Sequence, residues 1–425
     1  MILDRNPIFR NRLYFLLLLA IMETTLLAWF NINAQLIIAL LFFRLFEGNP
    51  LQNIKTAFAN AFFLSCFLLC LIKCAGLLYT HDVNYGWYLL QKRATLVAIP
   101  FIFCSGPFTD RQARKKIMTA FCVLLLLTSI YCLLVNTWQW LDQRNTSIFF
   151  YHALVTPVSQ NAIFYAAFLC FGLLFLLWDD LYGLDNKPHF RNWFRLFLII
   201  FFVGFIILLS SKLMLAIALL ILAAFLGKKE SFKKNRKLVI ATGLLCLLLV
   251  ILVTMTKNPI RERWLDAVRG PIKKENISPG TSFNGVQLRI LQWKFAYEIL
   301  NENHAWVFGV SPGDSQHKLD QKYIDANMYL GNPARQDTGF LNYNFHNQYI
   351  EELVQSGIVG LLLLLFSCWA LVRLAIRKGS WEAGFTVFIL LALFFTESSL
   401  QMQDGLFLYT FFPCMLLLDK EARLI

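Results

Sequence analysis

The sequence predicts an all-α polytopic membrane protein of about twelve transmembrane helices with one large extramembrane loop, and three observations carry that prediction. Of 425 residues, 58% are hydrophobic and only 15% charged, and the mean hydropathy is +0.56, more apolar than a soluble domain keeps out of water. Apolar runs near the roughly 20 residues needed to cross a hydrocarbon core of about 30 Å recur along almost the whole chain. The one long polar interval, about 256–345, interrupts them late in the chain.

The runs fall at 13–30, 34–46, 56–79, 88–105, 116–136, 157–177, 192–210, 211–226, 238–255, 347–372, 382–398 and 403–419. The second is short and the seventh and eighth share almost no connecting loop, so ten or eleven spans are alternatives to twelve. This divides the chain into residues 1–255 with nine helices, a loop subdomain at 256–345, and residues 346–425 with the last three helices. The first run lacks a small-x-small cleavage site and reads as a retained anchor helix.

Lysine and arginine collect at Arg5, Arg10 and Arg12 and in the loops at 109–116, 227–237 and 373–379. Short cytoplasmic loops carry such an excess. Both termini are therefore expected inside and the long loop outside. The net charge of +13 belongs mainly to this topology signal rather than to nucleic-acid binding, because the clusters lack interleaved aromatics and a folded domain to present them. All ten cysteines lie within or beside apolar runs, so the loop has no disulfide framework. Cys66, Cys70 and Cys74 read as small packing residues on one face of the third helix.

Inside the loop, 283–303 has a helix-like apolar pattern and is expected along the outer membrane surface. The turn at 309–314 follows it, then the segment around Tyr323 as one or a few helical turns, then an irregular lid at 325–344 rich in Asn, Gly and Tyr. Long loops of varied chemistry tend to be functional.

Cations at the expected outer ends of helices need a reason, since they oppose the positive-inside pattern. Lys92 and Arg93 sit near the outer end of the fourth run, and Lys212 lies at the join Ser210-Ser211-Lys212. With Arg261, Arg263 and Arg289 of the loop they form a candidate basic pocket for a phosphate or diphosphate, whose oxygens arginine grips bidentately. Snorkelling to headgroups is the alternative for Lys92, and less so for Lys212, where no long loop offers escape; each cation taken singly is equally read as pairing with Glu262, Asp266 or Glu298.

His346 stands at the mouth of the tenth run, followed by Asn347, Tyr349, Glu351 and Glu352. An ionisable group there is a functional candidate, and histidine can take a proton from a hydroxyl at neutral pH. A helix-capping or headgroup-contacting histidine is the alternative. No H-x-x-x-H or E-x-x-H pair is present, so no zinc site is expected, and no phosphate-binding glycine loop is found. Gly357 and Gly360 read as helix-packing residues.

The order Arg289-x-x-x-Trp293, Phe308-Gly309-Val310, His346-Asn347-x-Tyr349 and Gly357-Ile358-Val359-Gly360-Leu361 resembles the signature of the O-antigen ligase and polymerase superfamily. Ser210-Ser211-Lys212 looks like that family's Ser-Arg motif with Lys in place of Arg, and Thr396-Glu397-Ser398 resembles a motif of its final helix pair. The resemblance spans about 200–420, while the N-terminal half matches only in hydropathy. It implies a bacterial inner-membrane glycosyltransferase of the metal-independent, lipid-linked-donor architecture called GT-C, with the loop in the periplasm and no cofactor.

The implied donor is a glycan on undecaprenyl diphosphate. The implied acceptor is a hydroxyl of the lipid A core for a ligase, or of another carrier-linked repeat for a polymerase; the compact loop leans toward ligase. By similarity, His346 activates the acceptor, while Arg289, Arg261 or Arg263, and Lys212 hold the diphosphate, with Lys92 and Arg93 as a possible extension of that pocket. Asn347, Tyr349, Trp293 and Glu397 are expected to bind the acceptor or support the site. A transporter of anionic lipid would use a similar pocket but usually shows internal repeats and broken midplane helices, whereas these charges gather at one outer face.

Overall fold

A computed structural model describes residues 7–106, 111–179, 188–227, 240, 277–332, 334 and 337–418. Among them the chain is helical throughout, and its one β-contact is an isolated bridge between Asn332 and Asp337. The helices are α1 (Pro7–Leu26), α2 (Phe30–Leu45), α3 (Pro50–Phe58), α4 (Ala61–Gly76), α5 (Val83–Cys104), α6 (Arg111–Gln143), α7 (Tyr151–Val155) and α8 (Ala162–Trp178). They continue with α9 (Pro188–Leu208), α10 (Lys212–Gly227), α11 (Gly285–Glu302), α12 (Ser315–Asp325), α13 (Gln348–Lys378), α14 (Trp381–Thr396) and α15 (Gln403–Leu417).

Polar caps set many of the starts. The side chains of Asn49, Asn60, Asp82, Asn161, Asn284, Asn347 and Ser380 accept the first free N–H groups of α3, α4, α5, α8, α11, α13 and α14, which helix geometry otherwise leaves without partners. Asn60 therefore cuts the expected run 56–79, whose first residues end α3. Gly379, at φ 61°, closes α13 in the left-handed conformation.

Helices stand at eleven of the twelve expected positions, and the run 238–255 falls outside the described residues apart from Ile240. Among the described residues, four helices or continuous helical stretches are long and apolar enough to cross a membrane: Ala61–Tyr79, Arg111–Gln143, Arg191–Leu208 and Gln348–Lys378. Two bent pairs raise this to six if each is one span: α2 with α3, bent by 109°, and Tyr151–Val158 with α8, bent by 81°. Helices α10 and α14 are apolar but shorter.

The main core surrounds α8 and α15. Almost every side chain of both is buried, as expected of a helix that is apolar all round, and Phe171 of α8 stacks on Phe412 of α15 with ring centroids 4.0 Å apart. A second, smaller core joins the described part of the loop to the bundle. Leu288, Leu291, Phe295 and Ile299 of α11 meet Leu319 and Tyr323 of α12, with Phe345 and Val354 completing it. The helix expected within 283–303 runs from Gly285 to Glu302 and turns one face into this small core, and the helical turns expected around Tyr323 form a helix of 11 residues.

Two backbone junctions lock the loop to the bundle. Helix α13 is broken at Gly357, whose φ 64° and ψ −163° are non-helical. The freed N–H groups of Ile358 and Val359 donate to the carbonyls of Trp306 and Val307, at 2.8 and 3.4 Å, while Val310 N–H donates to Val354 C=O at 2.8 Å. Only glycine fits the break, because an added Cβ would lie 2.2 Å from the Val307 oxygen. Gly360 sits against Ser356 of the same helix, and the packing role expected of Gly357 understates what that residue does.

The second junction is Asp314, whose carboxylate accepts the N–H groups of His81 and Asp82 at 3.0–3.1 Å and the Ser311 hydroxyl at 3.0 Å. Burial by itself would raise the Asp314 carboxyl, but those backbone N–H groups and the Ser311 hydroxyl outweigh it and hold it below the usual carboxylate range.

Candidate active site

Three separate stretches of chain meet at one carboxylate. Glu397 ends α14 with its side chain only 6% exposed. One of its oxygens, Oε1, accepts from Arg289 Nη2 at 2.8 Å, and the other, Oε2, lies 3.1 Å from His346 Nδ1. Arg289 is brought there by α11. Its Nε donates to Thr396 C=O at 3.1 Å and its Nη1 to Gly285 C=O at 3.0 Å, which fixes the guanidinium plane. Three of the five N–H donors that arginine carries are thereby used, and the remaining two have no partner among the described residues.

His346 sits in the left-handed region at φ 47°, and its N–H donates to Asn344 Oδ1 at 3.0 Å. Such a conformation is costly for a non-glycine residue and is often retained where a side chain must point one way. The neighbours on both sides hold it. Trp293 Nε1 donates to Phe345 C=O at 3.1 Å, and its ring meets Phe395 edge-on at 5.8 Å. Asn347 caps α13 with its Oδ1 and donates from Nδ2 to Phe395 C=O at 3.0 Å. Tyr349 packs edge-on against Phe394, 6.1 Å between centroids.

With Nδ1 against the carboxylate, the neutral ring carries its proton there and leaves Nε2 as the basic nitrogen; this tautomer follows from the Nδ1 contact. Nε2 has no partner among the described residues, and the side chain keeps 25% of its surface exposed.

Behind this pair lies a buried polar group that the sequence did not single out. Glu351 Oε2 accepts from Ser398 Oγ at 2.9 Å and from Phe345 N–H at 3.4 Å, so one carboxylate ties the residue before His346 to the residue after Glu397. Its Oε1 accepts from Gln355 at 2.6 Å and Gln401 at 3.2 Å. Gln355 in turn accepts from Arg93 Nη2 at 3.1 Å. Arg93 is 3% exposed and lies 3.8 Å from Glu352, which pairs with Lys73 at 2.6 Å. Lys73 also donates to Ser356 Oγ at 2.6 Å. A lysine in the middle of the apolar run 56–79 was the available signal, since a charge there needs a partner.

The structure therefore brings Arg289, Trp293, His346, Asn347 and Glu397 together, with Tyr349 one turn away in α13. Arg93 is joined to them only through Gln355 and Glu351. Lys92 lies over the Tyr88 ring, 4.3 Å from its centroid. Lys212 stands half-buried at the head of α10, just after the buried Ser210 and Ser211. Arg261 and Arg263 lie outside the described residues. Among the described residues no group of three or more His, Cys, Asp or Glu is placed to hold a metal ion.

Fold and site together define a class: a helical membrane protein with a His–carboxylate–Arg cluster between a loop subdomain and the last helix pair. Residues 196–365 match the family model described as O-antigen ligase, and that match supports the resemblance of this part of the chain to the O-antigen ligase and polymerase superfamily. The match takes in Lys212, Arg289, Trp293 and His346 and stops before Glu397. No curated protein matches the chain.

Proposed function

We propose that the protein is an O-antigen ligase-type glycosyltransferase that moves a glycan from undecaprenyl diphosphate to a hydroxyl of the lipid A core. It does so without metal or nucleotide, at the periplasmic side of the bacterial inner membrane, with both termini in the cytoplasm and the twelve-helix layout of 1–255, 256–345 and 346–425. The observation that supports this best is the Glu397 carboxylate bridging Arg289 and His346, because it assembles a base and a cation at one point. His346 Nε2 takes the proton of the acceptor hydroxyl. The acceptor oxygen then bonds to the anomeric carbon of the donor, and the bond from that carbon to the diphosphate oxygen breaks, its electron pair leaving with the diphosphate.

Glu397 stabilises the imidazolium that forms, as a carboxylate behind a catalytic histidine does. Arg289, through its two uncommitted donors, meets charge growing on the leaving diphosphate, with Lys212, Arg261 and Arg263 as further cations and Lys92 nearer the rim. Stabilisation of this kind is usually a large part of catalysis. Glu351, with Arg93 behind it, holds the histidine and the carboxylate in register. Asn347 and Trp293 fix the same geometry from the sides, and Tyr349 supports α13 beneath it.

Polymerisation onto another carrier-linked repeat is the alternative within the same superfamily and uses the same chemistry. Surface polysaccharide from cells lacking the gene separates the two. Ligase function leaves long carrier-linked chains that never reach the core, whereas polymerase function leaves single repeats attached to it. Complementation by His346→Ala that restores transfer fully would remove His346 from the mechanism.

A further inference from the structure

A second polar feature lies at the same end of the bundle and takes no part in the cluster around His346. Glu23 sits within the last turn of α1, in the apolar sequence IMETTLLAWF. Its carboxylate makes no ion pair or hydrogen bond among the described residues, and Oε2 is sealed from solvent. Beside it is a cavity of about 440 Å³ lined by Glu23, Trp29, Thr128, Tyr131 and Ser159, among others. Gln160, next to Ser159, donates to Thr25 C=O at 2.6 Å and to Asp404 Oδ1 at 3.3 Å. Asp404 is in the first turn of α15, directly after the turn that follows Glu397. The cavity thus shares the end of the bundle that carries His346 while being walled by α1, α6 and the turn before α8.

Depth and charge narrow what the cavity would take. Trp29 and Tyr131 are half-exposed, and such rings collect at the level of lipid headgroups. A carboxylate facing a partly apolar cavity is stabilised by a cation that donates hydrogen bonds to it. A primary ammonium offers three donors, and neighbouring aromatic faces attract the same charge. The volume is within the range of small-ligand pockets.

We propose that this cavity binds the primary ammonium headgroup of an ethanolamine-type phospholipid, with Glu23 as the counter-charge and Trp29 and Tyr131 as its aromatic walls. It is a lipid site separate from the glycan-transfer cluster, and its occupancy does not depend on the transferase reading.

The test is native mass spectrometry of the purified full chain in detergent, titrated with phosphatidylethanolamine, phosphatidylglycerol or phosphatidylcholine of identical acyl chains. The wild type is expected to bind the ethanolamine lipid at least about tenfold more tightly than the other two, and Glu23→Gln to bind all three alike. Tyr131→Leu is expected to narrow the preference without abolishing it, which gives a second variant should Glu23→Gln fold poorly. Equal binding of the three lipids by the wild type, or an ethanolamine preference that survives Glu23→Gln, would overturn the proposal. So would displacement by millimolar glucosamine in the absence of any lipid preference, which would assign the ammonium to an amino sugar instead.

Discussion

Replacing Gly357 by alanine is expected to separate the loop from the broken helix, and the size of the effect can be worked from the junction. The new Cβ would lie 2.2 Å from Val307 O, 2.3 Å from Val307 C and 2.4 Å from Phe308 N. All three are backbone atoms, so no flexible side chain can move aside. Two responses are open to the chain. It can keep the junction and bear a strained positive-φ backbone, at about 1–3 kcal/mol before the clash is counted. Otherwise it can withdraw the loop and lose three inter-segment hydrogen bonds, those of Ile358 to Trp306, Val359 to Val307 and Val310 to Val354, at about 0.5–1.5 kcal/mol each.

The clash makes withdrawal the expected response. Its cost corresponds to at least about a tenfold rise in the open population. Hydrogen exchange of the detergent-solubilised protein reads this directly: the amides of Val310 and Ile358 should exchange at least about tenfold faster in Gly357→Ala. Amides of α8, in the main core, should be unchanged. Gly384→Ala is the control, since nothing lies within 4 Å of an added Cβ there. Unaltered exchange at Val310 and Ile358 in Gly357→Ala would refute the interlock.

Three further outcomes follow from the same contacts. Lys73→Met should destabilise the protein by about 3–5 kcal/mol by leaving Glu352 buried with a weakened counter-charge, and adding Glu352→Leu should recover much of that loss in thermal unfolding. Asp314→Asn should cost about 1.5–3 kcal/mol through the loss of charge-assisted bonds to His81 and Asp82. Because the folded Asp314 carboxyl titrates below its unfolded value, its stabilisation is present above about pH 4 and is lost as pH falls through the folded value; acid unfolding of wild type and Asp314→Asn should converge there. Arg289→Lys keeps the charge but not the three-way fork to Glu397, Thr396 and Gly285, so transfer should fall by about 10²-fold or more with folding largely intact.

The helices were the most legible part of the chain, because a segment of apolar residues flanked by Asn, Asp or Ser caps leaves few alternatives. What the sequence hid was the way segments meet. Asn60 looks like any polar residue until its side chain is seen ending one helix and starting another. Gly357 reads as a small packing residue because its φ and the approach of Val307 are set by a segment fifty residues earlier. His346, Arg289 and Glu397 could be picked out by residue type and by resemblance, but not their sharing of one carboxylate, which depends on where α11 and α14 end. Lys73, Glu351 and Glu352 drew no role from the sequence, since a buried charge shows its purpose only when its partner on another helix is known. Arg261 and Arg263 remain expectations of the sequence alone.

In the proposed mechanism His346, held by Glu397 and backed by Arg289, activates an acceptor hydroxyl against a carrier-linked glycan. Purified protein in vesicles, supplied with undecaprenyl diphosphate-linked glycan and lipid A core and no metal or nucleotide, tests it most directly. Transfer by the wild type is expected, with a fall of about 10² to 10⁴-fold in His346→Ala at unchanged melting, and a smaller fall in Glu397→Gln. Transfer by His346→Ala at the wild-type rate would contradict it.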